Sequence, residues 1–411
     1  MFHGSTEYAK PNRLAFIDSL RGIAVLFVVL WHTVVLPSTI VKLPDSVFKF
    51  AMSGDGSTGV IIFFIISAFS LCYTMPMSTS GQVDVRKFYT RRLFRIAPLF
   101  YILLIVTIAQ NNLFAFSFRF VRDFLWNVSF LFNLSPGHQF GIVGASWTIG
   151  VEMLFYFVFP LLYVISRKTP NIVVMLFLSL IISSAFKAIL SAFGVVETFF
   201  TFSLIHNLPL FLFGVVAYNL YVHLDKINLS PAWAAAMTVG AVYGYFAIQS
   251  GKFNNIIFAD DFPWKGILGV LIIIGLAVNP LKIFVNSVTQ YIGKISYSVY
   301  LLHVFVINSL FPFYKWVYET HIGATLPISV AEIFAYLVSA MVTIVISVAV
   351  ASLSYRYIEL PGIRLGRSLL QRSQYQVAVQ TSPAGTAQKV ERSSALLMRQ
   401  PEDVVGGSCS E

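Results

Sequence analysis

The chain has 411 residues, 57% of them hydrophobic and 11% charged, against roughly 45–50% apolar and 25% charged in a soluble domain. Its net charge of +10 sits largely in short breaks between apolar runs, so it orients helices in a membrane and gives no reason to expect a nucleic-acid partner. The ~10-residue alternating segments of a transmembrane barrel are missing, which leaves an all-α, polytopic membrane helix bundle.

Runs long enough to cross ~30 Å of hydrocarbon as helix are predicted near 17–36, 57–76, 96–112, 146–166, 171–190, 204–222, 231–249, 264–280, 295–311 and 329–355, giving about ten transmembrane helices. No small-residue cleavage site follows the first run, which reads as a retained span. The segment 113–135 carries Arg119, Arg122 and Asp123 and reads as an interfacial amphipathic helix. With a cytoplasmic N-terminus the inner segments up to Arg367 hold 15 Lys and Arg and the outer loops seven, so both termini are expected inside. Residues 1–16 then form a cytoplasmic lead-in, 17–366 the membrane domain and 367–411, polar and rich in small residues, a disordered cytoplasmic tail. Cys72 and Cys409 suggest neither a disulfide framework nor a metal site.

Several residues are poorly suited to lipid. In DSLRGIAVLFVVLWH, Arg21 and His32 are eleven residues apart, which leaves them about 20° apart in azimuth and ~16 Å apart in height on one helix. Asp18 is placed to pair with Arg21; both could equally be ordinary interfacial charges. His32 falls in the outer part of the membrane, where an ionisable side chain is a functional candidate and imidazole suits proton transfer near neutral pH. Glu152, in GASWTIGVEMLFYFVFP, is expected at a similar depth, where it could orient His32 as a carboxylate orients a general base; the bland alternative is a bond to a loop or to Trp147. Arg91, Arg92 and Arg95 crowd the inner mouth of the third span. They read either as a topology determinant facing anionic lipid or as a guanidinium clamp for phosphates. Ser296, Tyr300 and His303 share one side of the ninth span, with Tyr297 close by, and such groups must look into the bundle or a wet cavity. His206 and Asn207 mark the outer end of the sixth span, and Glu359-Leu360-Pro361 reads as the end of the last one. No Walker, GxGxxG, zinc-binding or GxSxG pattern accompanies these groups.

Taken together, the motifs resemble the acyltransferase 3 family, polytopic bacterial enzymes that move acyl groups, often acetyl, onto hydroxyls of cell-envelope sugars and other acceptors. The likeness covers about residues 13–365. It rests on Arg21 and His32 with ten spacers inside RLAFIDSLRGIAVLFVVLWH, and then on GVIIFFIISAFSL, RRLFRIAPLFY, SWTIGVEMLFYFVFPLL, LPLFLFGVVAY and IGKISYSVYLLH in the family's order. The resemblance implies His32 as catalytic histidine, Arg21 as its basic partner, Arg92 and Arg95 as a pair near the donor, and Glu152 as the acidic position. Ala68 departs from a usual glycine. No extracytoplasmic domain is expected after the last span, which assigns acceptor choice to the membrane core and outer loops.

The reading that joins residues and resemblance is a membrane O-acyltransferase of the bacterial inner membrane, most simply an O-acetyltransferase. Acyl-CoA is its cytoplasmic cosubstrate, with phosphates on Arg21, Arg91, Arg92 and Arg95 and no metal. His32 acts with Glu152, while Asp18, Trp147, Tyr297 and His303 support the site, and a saccharide is the acceptor. The rival is a transporter or flippase of a polyprenyl-linked saccharide, which lacks support because no internal repeat is visible.

Overall fold

A computed structural model describes residues 14–41, 43–45, 47, 56–78, 81–111, 118–195, 197–249, 262–319 and 328–381. Among them the structure is helical, with an isolated antiparallel bridge between Met77 and Val83. The first seven principal helices are α1 (Ala15–Val35), α2 (Gly56–Tyr73), α3 (Val85–Gln110), α4 (Phe118–Val128), α5 (Trp147–Ser166), α6 (Thr169–Ala192) and α7 (Leu204–Val222). They are followed by α8 (Pro231–Gln249), α9 (Phe262–Val278), α10 (Ser287–Lys294), α11 (Ser296–Ser309), α12 (Phe311–Glu319), α13 (Ile328–Ser354) and α14 (Leu360–Thr381).

Helices occupy all the predicted apolar runs. Seven helical segments are long and apolar enough to cross a membrane, the pair α11–α12, bent by 56°, makes an eighth, and α2 and α9 are shorter apolar helices. This is a multi-pass membrane protein, although length and apolarity do not by themselves fix the expected ten spans. The amphipathic α4 is only 11 residues long and lies within the segment expected at the interface; the expected start of that segment, 113–117, lies outside the described residues.

The end of the membrane region differs from expectation. The backbone continues past α13 through a π-helical turn, Tyr355–Glu359, directly into α14. Leu360 N–H still bonds the Tyr355 carbonyl across the π turn and Pro361, which has no N–H, follows it as the second residue of α14, so the Glu-Leu-Pro stretch links two helices instead of ending one. α14 runs to Thr381, beyond the point where the disordered tail was expected to begin; residues 382–411 lie outside the described set.

Close packing around α1 fixes the centre of the bundle. A Cβ on Gly22 would stand 2.1 Å from the Thr289 carbonyl oxygen, and one on Gly293 would stand 1.7 Å from that of Asp18, so α1 and α10 meet backbone to backbone. Small residues permit such approach where hydrophobicity gives no drive between helices. Ser19 and Thr289 hydrogen-bond across this seam at 3.0 Å, and Asn286 caps α10 by accepting from Val288 and Thr289 N–H. On its other side α1 packs on α2, where a Cβ on Gly59 would meet the Ala24 carbonyl at 2.5 Å. α2 in turn packs against α7, and α11 against α13, which brings the polar faces of α1, α2, α3, α5 and α11 around one interior space.

Candidate active site

That space is a cavity, partly open, whose wall includes Arg21, Ser67, Arg92, Arg95, Glu152 and Tyr297. Its cationic side comes from α1 and α3. Asp84 caps α3 by accepting from Lys87 N–H at 2.9 Å, which starts the helix about two turns before Arg91 and Arg92. Arg92 and Arg95, three residues apart, then face inward together. Arg91 is exposed and lies outside the cavity wall.

Each inward guanidinium is held from behind. Arg21 contacts Asp18 at 3.5 Å and donates to Ser70 Oγ at 2.8 Å. Arg92 donates to Thr74 Oγ1 at 3.1 Å and lies over the Tyr156 ring at 5.7 Å. Arg95 meets Glu359 through Nε at 3.6 Å, and Glu359 also accepts from Ser298 Oγ at 3.0 Å. Cations in a partly desolvated site need such partners. Because the carboxylates of Asp18 and Glu359 approach from outside the wall, the cavity keeps a cationic lining suited to an oxyanion.

Above the arginines, Ser67 Oγ donates a short hydrogen bond to Glu152, with Tyr156 Oη 3.5 Å from the same hydroxyl. Tyr297 donates to the Ile96 carbonyl at 2.6 Å. Tyr300 and Thr148, both in the wall, are joined by the Thr148 hydroxyl donating to Tyr300 Oη at 2.7 Å, and Tyr300 donates to the Ala145 carbonyl at 3.0 Å. Ala145 takes a left-handed backbone, φ 59°, an uncommon conformation for a residue with a Cβ.

The two histidines lie one ring beyond the wall. The Tyr300 ring is 5.7 Å from that of His303, which in turn is 4.8 Å from that of His32, edge to face. His32 Nδ1 is 2.8 Å from the Val28 carbonyl. A carbonyl only accepts, so Nδ1 carries the hydrogen and Nε2 presents the lone pair.

The structure thus brings Arg21, Arg92, Arg95, Glu152 and Tyr297 to one cavity, and Asp18 behind it, but it does not join Glu152 to His32. Glu152 bonds to Ser67, while His32 meets Val28 and His303. Counting residues from helix ends estimates depth, but azimuth depends on how the helices pack, and packing turns Glu152 toward α2. Trp147 also lies outside the wall. Its ring packs 4.3 Å from Phe202 and 6.2 Å from Phe64, and its carbonyl accepts from Asn133 at 3.1 Å, which anchors the loop before α5. His206 is sandwiched by Phe200 and Phe262 at 4.4 and 4.3 Å, and Asn207 donates to the Thr201 and Ser203 carbonyls; both serve packing.

Sequence reasoning missed Ser67, Ser70, Thr74, Tyr156 and the inward role of Glu359. A signal existed for three of them, because Ser67, Ser70 and Thr74 recur at helical spacing and mark one polar face of α2. Glu359 gave none, since its inward direction depends on the π turn.

A family model described as an acyltransferase domain matches residues 14–352. The O-acetyltransferase OatA of Staphylococcus aureus (strain NCTC 8325 / PS 47) is 26% identical over 390 residues, covering 86% of this chain and 57% of that protein. A protein of S. aureus (strain MRSA252) that carries a provisional O-acetyltransferase name is 25% identical over 403 residues, covering 90% of this chain and 61% of its own length. The chain thus spans about three fifths of the curated relatives it matches. No solved structure matches it significantly.

Proposed function

The chain belongs to the acyltransferase 3 family, and from that premise we propose that it is a membrane O-acetyltransferase moving an acetyl group from acetyl-CoA to a hydroxyl of a saccharide. The observation that carries this reading is the cavity that joins the arginines of α1 and α3 to the polar wall formed by α2, α5 and α11. The O-acetyltransferase names of its relatives support the same chemistry. We further infer ten spans, both termini in the cytoplasm and residence in a bacterial inner membrane.

In this mechanism the donor enters from the cytoplasmic side. Its phosphates engage Arg92, Arg95 and Arg21, where planar guanidinium groups match phosphate oxygens, while Arg91 attracts it at the exposed mouth. The pantetheine arm extends along the wall past Ser67 and Tyr297. It carries the thioester toward Tyr300 and, once that ring shifts, to His32. The ~16 Å between Arg21 and His32 is the distance the arm covers.

His32 Nε2 takes the proton from the acceptor hydroxyl. The oxygen attacks the thioester carbonyl, the new C–O bond forms, and the C–S bond breaks as the tetrahedral intermediate collapses. The proton on His32 passes to the departing thiolate, so the cycle ends with a free CoA thiol, an acetyl ester and a neutral histidine. The saccharide approaches from the outer side, nearest His32.

Labelled acetyl-CoA supplied to the purified protein in lipid vesicles with candidate glycans tests the proposal. Covalent label on the glycan, lost in His32→Ala protein that still inserts, is the expected result. Transfer by the variant at the normal rate would remove His32 from the mechanism, and gradient-driven sugar movement without ester formation would replace the enzyme by a transporter.

A further inference from the structure

Arg367 stands on α14, beyond the stretch 14–352 that matches the acyltransferase domain. Close packing nevertheless holds this part of α14 against α3. Gly362 and Gly366, four residues apart, share one face of α14, and both meet Phe94. A Cβ on Gly362 would stand 2.7 Å from the Phe94 carbonyl oxygen, and one on Gly366 would stand 2.7 Å from Phe94 Cβ. Pro98, inside α3, has no N–H to give that carbonyl, and the glycine face of α14 seats there instead. The Arg95–Glu359 contact at 3.6 Å ties the same two stretches together on the cavity side.

This seam has an electrostatic consequence. Arg367 directly follows Gly366, and Arg91 precedes Phe94 by three residues, about one turn of α3. Both arginines are exposed, and the charge of Arg367 acts on Arg91, opposed by a smaller effect of Asp84, whose carboxylate already caps α3. Among the described residues neither arginine makes an ion pair. Two guanidiniums kept near each other by helix packing repel, and an anion between them relieves the repulsion while accepting charge-assisted bonds from both.

The covalent order of the donor identifies the anion. In CoA the diphosphate separates the pantetheine arm from the ribose, and the ribose carries a 3′-phosphate. With the diphosphate on Arg92 and Arg95 and the arm extending into the cavity, the ribose is left on the side of the mouth, where Arg91 and Arg367 stand. A phosphate monoester there carries about two negative charges near neutral pH.

We propose that Arg91 and Arg367 bind the 3′-phosphate of the acyl-CoA donor, a site that presupposes the proposed use of acetyl-CoA. The pair makes the enzyme distinguish a CoA thioester from its 3′-dephospho counterpart, a choice to which the thioester end contributes nothing. An anionic lipid headgroup offers the same phosphate chemistry at a basic membrane face, and the test separates the two sources.

The test measures binding of acetyl-CoA and acetyl-3′-dephospho-CoA to purified full-length protein in phosphatidylcholine vesicles. Wild-type protein should prefer acetyl-CoA about fivefold at physiological salt, the scale of two exposed, screened ion pairs. Arg91→Ala/Arg367→Ala should bind the two donors within about twofold of each other, and Arg364→Ala, which removes an exposed charge from the same helix, should keep the preference. Equal binding of the two donors by wild-type protein, a comparison that needs no variant to fold, or a preference that survives in the double variant, would overturn the inference. A preference of the same size in vesicles containing phosphatidylglycerol supports it. Donors bound alike in phosphatidylcholine, with the double variant losing thermal stability only in phosphatidylglycerol, would assign the pair to lipid and overturn it. Binding of neither donor would refute the proposed function as well, whereas equal binding of both refutes the 3′-phosphate site alone.

Discussion

Arg95 on α3 and Glu359 on the π turn beyond α13 meet at 3.6 Å, with the carboxylate 1% exposed and the guanidinium 30% exposed. The pair ties the last helices to the cavity wall, and the π turn makes it possible by adding a residue to the helical repeat and redirecting Glu359 inward. π-bulges often occur at functional sites. Removing Glu359 alone leaves an unpaired cation. Glu359→Ala should therefore destabilise the protein by about 2 kcal/mol, below the full cost of breaking a buried pair because Arg95 keeps some solvent. Thermal unfolding in detergent checks this, with the Arg95→Ala/Glu359→Ala double variant expected to be more stable than Glu359→Ala.

The three arginines at the inner mouth of the third predicted span do not share one environment. Arg92 and Arg95 line the cavity, while Arg91 is exposed. Arg92→Ala should raise the donor KM at least about tenfold, the scale of a lost charge-assisted hydrogen bond, whereas Arg91→Ala should change it by less than about threefold at physiological salt. Titration of labelled acetyl-CoA onto each variant separates the cases, and equal effects would contradict the division.

The Ser67–Glu152 bond crosses from α2 to α5 inside the cavity. Ser67→Ala deprives a carboxylate of a buried donor and should cost about 1–3 kcal/mol of stability. Ser67→Thr, which keeps the hydroxyl, should cost less. Paired melting curves with and without acetyl-CoA distinguish loss of the bond from loss of donor binding.

Backbone contact between α1 and α10 leaves no room for a methyl group at Gly293, where a Cβ would stand 1.7 Å from the Asp18 carbonyl oxygen. Gly293→Ala must push the helices apart and should cost about 3 kcal/mol or more, at the upper end of overpacking penalties. Gly240, with nothing within 4 Å of the added Cβ, is the control, and its alanine variant should insert and melt normally. Monodispersity after extraction and melting temperature are the readouts.

The Arg21-to-His32 spacing was legible in the sequence because one helix fixes it, and the structure keeps both residues on α1. The Asp18–Arg21 contact was legible for the same reason, since residues three apart on a helix are neighbours. The inward pair Arg92 and Arg95 followed from their spacing once α3 was recognised. The Glu152–His32 pairing was not obtainable in this way, because it needed the relative rotation of two helices distant in the chain. The expected termination at Glu359-Leu360-Pro361 also failed, since a π turn carries the helical bonding past Glu359 and Pro361 follows as the second residue of α14.

The sequence by itself determined that this chain is a multi-pass helical membrane protein of the acyltransferase 3 family, because apolar length, loop charge and motif order are local properties that survive without coordinates. Tertiary structure decided which polar groups meet: Glu152 with Ser67, Glu359 with Arg95, and His32 with His303. The physical reason is that backbone hydrogen bonding within each helix is satisfied locally, whereas azimuth and partner choice depend on close packing between helices. A glycine seam in which an added Cβ on Gly293 would stand 1.7 Å from a facing carbonyl oxygen fixes those rotations, and nothing in the hydropathy of either helix encodes them.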